Sequence, residues 1–382
     1  MSLVAWENVM TPKDLGGVGV GSLKDANLAM LAKWWWRFKT DPNSLWRKVI
    51  WSIHKNERSW NPIPGKMSIA GPWKQIGKLS KEFGKYGLTL AECFRVIPRV
   101  GDAVAFWKDK WAGNESLKDM FPTLFELERS KNVSVAERVK NVDGTLILNF
   151  SWVRQLTSAE EADNVQSLSE VVLGTAREQG PDRWLWEMDG SGTFSVKSIK
   201  DALQHARFLD LGNNFEWNNW VPIKINFLAW RVSLDRAPTL VALAHRNVHV
   251  GQLGCRLCEQ YDEDSDHLFV GCEVAQFIWD SISIWCRISN IYAFTVKDLL
   301  GWYKNVQENN AWRKLIYAIM QVAVWVIWRS RNEVTFNGKQ VNREQMVNEI
   351  KHLSYLWVGC RSRLKEVSWE EWCNFDMSSK CL

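Results

Sequence analysis

The sequence predicts a mainly α chain with small β-hairpins (α+β), and three observations lead there. Apolar residues recur at helical spacing through most of its 382 residues. Short β-rich runs flank Gly101-Asp102 and precede Asp189-Gly190. Three cysteines and a histidine fall inside "CRLCEQYDEDSDHLFVGC" (255–272), while the other cysteines are scattered. Those four residues make the expected architecture more specific: helical segments around a structural zinc-binding module.

In chain order, Leu28, Leu31, Trp35 and Phe38 of "LKDANLAMLAKWWWRFK" recur at helical spacing, and Asp41-Pro42 ends the run. A second helix is predicted over "NSLWRKVIWSIHK". The Pro/Gly loop "NPIPGK" follows, then an amphipathic helix from Trp73 to Phe83. In "CFRVIPRVGDAVAFWKDKW", two β-rich runs predict a hairpin turning at Gly101-Asp102, with Pro98 suited to an edge strand. Helical patterns return around 116–128, 134–139 and 158–173. "RWLWEMDGSGTFSVKSIKDAL" predicts a second hairpin turning through Asp189–Gly192 and a helix after Ser195. Pro222 fits the first turn of "PIKINFLAWRVSLDRA", and Pro238-Thr239 opens a helix ending near Asn247. Beyond the cysteines, Val274, Phe277, Ile278 and Ile282 form an apolar stripe. Helices are expected over 295–304, 311–332 and 341–363.

Composition narrows the function classes. The 25 tryptophans far outnumber the 6 tyrosines. They suit Trp-rich helical cores, or stacking on unpaired bases if exposed among basic residues. Net charge is +5, but residues 1–120 carry 19 Lys+Arg against 11 Asp+Glu, so the basic excess lies wholly in the first third. A polyanion-binding surface and a solvated lysine face both fit that bias. The apolar run "LIYAIMQVAVWVIW" (315–328) is bounded by Lys314 and Arg329 and falls short of the roughly 20 residues a membrane span needs, so a buried helix is expected. The opening "MSLVAWENVMTPKDLGG" lacks the pattern of a secretory signal. A nuclear or cytoplasmic protein, neither secreted nor transmembrane, is the expectation, and a reducing compartment favours metal ligation by the eight cysteines over disulfides.

Cys255, Cys258, His267 and Cys272 are spaced C-x2-C-x8-H-x4-C. A two-residue gap lets both thiolates of a turn face one centre, and the far side of a short loop completes a tetrahedron. Three thiolates and an imidazole suit Zn²⁺, one per chain, and four protein ligands leave no open position. His245 and His249 offer a rival ligand pair just upstream. The acidic run Asp262, Glu263, Asp264 and Asp266 lacks the glycine and terminal glutamate of a calcium loop and is expected to be a solvated part of the zinc loop. "MDGSGTFS" is similar to the Asp-Gly start of a ribonuclease H strand, but the helical, basic sequence after it favours a turn.

Taken in order, "RWLWEMDGSGTFSVKSIKDAL", "WVPIKINFLAWRVSLDRAPTLVALAHRNV" and "CRLCEQYDEDSDHLFVGCEVAQFIW" resemble the zinc-binding domain of plant non-LTR (LINE-type) retrotransposon reverse transcriptases. "AWENVMTPKDLGGVGVGSLKDANLAMLAKWWWRF" and "GDAVAFWKDKWAG" look like the segment just beyond the polymerase of the same proteins. The resemblance covers roughly residues 1–290. It implies four regions: a basic helical region with a hairpin over 1–115, a helical connector over 116–180, the zinc-binding domain over 181–290 and a helical C-terminal region over 291–382. Reverse transcription needs paired aspartates that hold two metals, and no Asp-Asp pair occurs in this sequence, so no enzymatic activity is expected from it. Two function classes remain: an RNA- or DNA-binding accessory region, with Lys33, Arg37, Lys74, Lys78, Lys81 and Lys85 as candidate phosphate contacts, or a protein-interaction or vestigial scaffold. A separate reverse transcriptase chain is a candidate partner.

Overall fold

Ser22 opens the first long helix, α1 (Leu23–Thr40), its hydroxyl accepting the Asp25 N–H at 3.3 Å. The computed structural model describes residues 4–54, 63–64, 68–142, 145–175, 180–209, 215–362 and 367–376. Most of these are helical, with two two-stranded antiparallel sheets. The chain divides into two units, residues 20–210 and residues 1–19 with 211–382.

In the 20–210 unit, α1 buries Leu28, Ala29, Ala32, Trp35 and Phe38 along one stripe. Then come α2 (Leu45–His54), α3 (Pro72–Gly77) and α4 (Leu79–Gly84). The expected continuous helix from Trp73 to Phe83 is therefore broken. Lys78, between two segments that end in glycine, donates its N–H to both Lys74 O and Gln75 O and starts a new turn. Trp73, Ile76, Leu79 and Phe83 still reach the core across the break. Four strands follow among the described residues: β1 (Phe94–Ile97), β2 (Val139–Val142), β3 (Thr145–Leu148) and β4 (Arg183–Trp186). The unit also holds short helices over Leu117–Met120, Pro122–Leu127 and Val135–Arg138, and the longer α5 (Ala159–Leu173) and α6 (Val196–Phe208), α6 capped by Ser195.

The hairpin expected around Gly101-Asp102 does not form. β1 pairs antiparallel with β4 instead, Phe94 opposite Trp186 and Ile97 opposite Arg183. The Asp182 carboxylate accepts from Arg99 N (2.7 Å) and Gly101 N (2.8 Å), which fastens the turn to the start of β4. Gly101 adopts φ +77°, with Val135 close to where a side chain would stand. The second run bonds mainly elsewhere: Val104 O accepts from Val135 N and Phe106 N donates to Val133 O, both at 2.9 Å, while one bond, Val96 N to Lys110 O at 2.9 Å, still links the two runs. The turn after β4 does form, closed by Gly192 N to Asp189 O, but the run beyond it adds no strand. The β2–β3 hairpin was not foreseen, although its connection reads Asp143-Gly144, a strong turn signal in sequence.

The other unit contains α7 (Ile223–Ser233), α8 (Leu240–Ala244), α9 (Glu273–Cys286), α10 (Val296–Gly301), α11 (Asn310–Asn337), α12 (Arg343–Arg361) and α13 (Trp369–Cys373). α11 carries the apolar run 315–328, buried without interruption from Leu315 to Val324, and packs on α7 and α12. Its one buried amide, Gln321, donates to Asn226 Oδ1 at 3.3 Å, and Asn226 is bonded in turn to the Asn218 backbone. No helix among the described residues is long and apolar enough to cross a membrane.

The tryptophans mainly build cores. Trp35, Trp73, Trp111 and Trp186 sit in the first unit's core and Trp230, Trp279, Trp285 and Trp372 in the second's, each with its indole N–H bonded. Exposed exceptions include Trp6, Trp34 and Trp51.

Candidate metal centre

The centre is assembled by a short loop and the start of a helix. Gly254 and Asp262 form a β-bridge, and Cys255 N donates to Tyr261 O at 2.7 Å, so the segment between them doubles back on itself. Glu259 N returns to Cys255 O at 2.8 Å, with Glu259 in the left-handed region at φ +58°. That turn brings Cys255 and Cys258 to one side. A single π-helical turn, His267–Gly271, follows, and Cys272 N donates to His267 O across it at 2.7 Å. Cys272 is the N-cap of α9, so its sulfur faces the N–H groups of Val274 and Ala275.

Cys255, Cys258, His267 and Cys272 converge, their ligand atoms all within 4.8 Å of one another. Cys255 Sγ lies 4.0 Å from Cys272 Sγ, and Cys258 Sγ lies 3.2 Å from His267 Nε2. A tetrahedral zinc with ordinary bond lengths sets edges of about 3.8 Å between thiolates and about 3.6 Å from thiolate to imidazole. The donor set fits Zn²⁺ in type and spacing. Cys255 and Cys272 are buried, Cys258 and His267 half-buried.

Electrostatics prepare two of the donors. The hydrogen bond from Cys255, then the Ala275 and Val274 N–H groups, hold the Cys272 thiol below its usual pKa against the opposing effect of burial. That same bond, with burial, pushes Cys255 well above the usual range, so Cys272 is the more acidic thiol of the pair. Burial lowers the His267 pKa and favours the neutral imidazole a metal requires. The exposed His245 and His249 are not in the converging group.

The acidic run is only in part the solvated loop expected: Asp262, Asp264 and Asp266 are exposed, but Glu263 is not. Glu263 is fully buried and paired with Arg331 of α11, with Nη2 at 2.6 Å and Nε at 3.0 Å from the carboxylate, and it also accepts from Leu240 N at 3.1 Å. Asp264 accepts from His267 N at 2.6 Å and Asp266 from Val296 N at 2.7 Å. These carboxylates fasten the metal loop to α8, α10 and α11. The sequence showed the run but not that Arg331, 68 residues later, would bury one member of it.

The six candidate phosphate contacts all lie in the 20–210 unit. Lys33 and Arg37 are exposed on α1, and Arg37 rests over the rings of Trp34 and Trp46 at 5.2 and 5.9 Å. Because α3 and α4 are separate, Lys74, Lys78, Lys81 and Lys85 do not stand on one continuous helix. Lys74 and Lys78 are half-buried and Lys81 is exposed. Lys85 pairs with Glu82 at 2.6 Å and so already has a counter-charge.

Comparison with known proteins agrees with the geometry. Residues 194–279 match the family model described as zinc-binding in reverse transcriptase, a range that includes all four ligands. A protein of Arabidopsis thaliana, provisionally named a ribonuclease H protein, is 25% identical over 362 residues, covering 91% of this chain and 55% of its own length. The chain thus spans about half the length of that curated relative. No solved structure matches.

Proposed function

We propose that this chain is a retroelement-derived, non-catalytic accessory region, similar to the part of a non-LTR reverse transcriptase that follows the polymerase. In this reading one structural Zn²⁺ fixes the fold and the basic face of the 20–210 unit binds RNA or DNA. The observation that carries it is the convergence of Cys255, Cys258, His267 and Cys272 inside the segment that matches the reverse transcriptase zinc-binding model. Zinc there closes the Gly254–Asp262 loop onto the start of α9. Lys33, Arg37, Lys74, Lys78 and Lys81 supply the phosphate contacts, whereas Lys85 contributes less because Glu82 neutralises it. Nothing in this set reads base edges, so sequence preference is weak.

Salt-titrated binding to single-stranded RNA tests the nucleic-acid part. Changing Lys74, Lys78 and Lys81 to Gln is expected to weaken binding equally for unrelated sequences and to flatten the log–log salt slope by about 2. Absence of binding by the wild-type chain at low salt leaves the scaffold reading in its place. Primer extension on a homopolymer template with Mg²⁺ or Mn²⁺ is expected to give no template-dependent incorporation, since the sequence lacks the aspartate pair. Incorporation by a contaminant-free preparation refutes that.

A further inference from the structure

Three arginines beside the metal loop have no use in the reading above. Arg231 stands in the last turn of α7, Arg236 in the connection to α8 and Arg246 just past α8. None of them meets a carboxylate within ion-pair distance among the described residues. Their protein contacts are few: Arg231 Nη2 donates to Arg236 O at 3.2 Å, and Arg236 Nη1 to Asp235 O at 3.2 Å. Arg231 Nε and Arg246 Nη1 are shielded from solvent without a hydrogen-bond partner. Burial and the neighbouring Arg246 charge both lower the Arg231 pKa, which shows the two guanidiniums acting on each other. Partly dehydrated like charges cost folding energy unless an anion joins them.

A cavity of about 300 Å³ opens at this place, lined by Arg236, Thr239, His245 and Arg246, with Asp235 and Asp264 also at its wall. Asp264 is engaged by the His267 N–H. Thr239 is 1% exposed, and its hydroxyl oxygen accepts from Ala242 N at 3.4 Å. No acceptor for its proton is found among the described residues, so that proton is left for the cavity. Two guanidiniums from separate elements and a buried hydroxyl, all lining one cavity, match an oxyanion with several acceptor oxygens.

We propose that this pocket binds a phosphate group, held by the forks of Arg236 and Arg246 and the hydroxyl of Thr239, with Arg231 adding positive potential behind them. The phosphate belongs either to a nucleic-acid strand or to a free phosphate compound. The site does not depend on the N-terminal lysines and stands if they prove idle.

Inorganic pyrophosphate is the probe, with zinc content measured in every sample as the check on folding. Wild-type chain is expected to gain melting temperature and to show saturable binding by calorimetry. Arg246→Gln is expected to weaken that binding by about ten- to a hundredfold with zinc retained, and Arg246→Lys, which keeps charge but loses the fork, by less. Without phosphate, Arg246→Gln is expected to melt higher than wild type, because the repulsion with Arg231 is gone; pyrophosphate should reverse that order. Competition by a single-stranded oligonucleotide assigns the site to a strand, and lack of competition assigns it to a free phosphate compound. Changing Lys74, Lys78 and Lys81 to Gln should leave pyrophosphate binding intact, which separates this site from the basic face. Absence of wild-type binding at low salt, or equal binding by folded Arg246→Gln, overturns the proposal.

Discussion

Cys258→Ser is expected to lower zinc from one equivalent per chain to nearly none, as read by elemental analysis of the purified protein. Cys258 is the informative ligand to change because it is only half-buried, so the substitution removes a thiolate without opening a cavity in the core. Structural zinc sites contribute about 10–16 kcal/mol of apparent binding free energy at neutral pH, which is large against the stability of a whole domain. Hydrogen exchange should therefore lose protection at Cys255, Glu263 and Cys272, whose amides close the loop. His249→Ala should keep its zinc, since that side chain is exposed and outside the converging group. Zinc retained by Cys258→Ser, or lost from His249→Ala, breaks the ligand assignment.

Arg331→Met should destabilise the chain by about 3–5 kcal/mol, because it strands the fully buried Glu263 carboxylate. Spread over a unit of this size, that is a fall in melting temperature of roughly 6–20 °C. The cost belongs to the uncompensated charge more than to the lost contact, so adding Glu263→Gln to Arg331→Met should restore much of the loss. A double variant as unstable as the single one would assign the effect to packing of the Arg331 side chain. Because Glu263 lies between the second cysteine and the histidine, the single variant should also hold zinc less tightly at equal metal concentration.

The convergence of the four candidate donors was legible because they are close in sequence and their element types follow from local spacing. The long helix α11 was legible for a related reason: a run such as "LIYAIMQVAVWVIW" has to be buried wherever it goes. Pairing over long distances left no such trace. The period-two pattern of Phe94–Ile97 marks a strand but does not say which partner it takes, and Asp182 supplied a better hold on the turn than the local run did. The four lysines followed helical spacing, yet Gly77 and Lys78 ended the helix between them. Glu263 looked like one of several solvated acids, and its burial depended on an arginine on another helix.

The indole N–H groups of Trp217 and Trp230 donate to Gly17 O and Gly16 O, at separations of 200 and 214 residues. Synthesis therefore delivers the two halves of this arrangement far apart in time. At about 5–20 residues per second, the acceptors around Gly16 wait roughly 10–40 s for their donors. During that interval the 20–210 segment, which is translated between them, can fold on its own internal contacts. A nascent chain halted after residue 210 should thus carry a folded insert while residues 1–19 still await the rest of their own unit, and limited proteolysis should cut that segment before the insert.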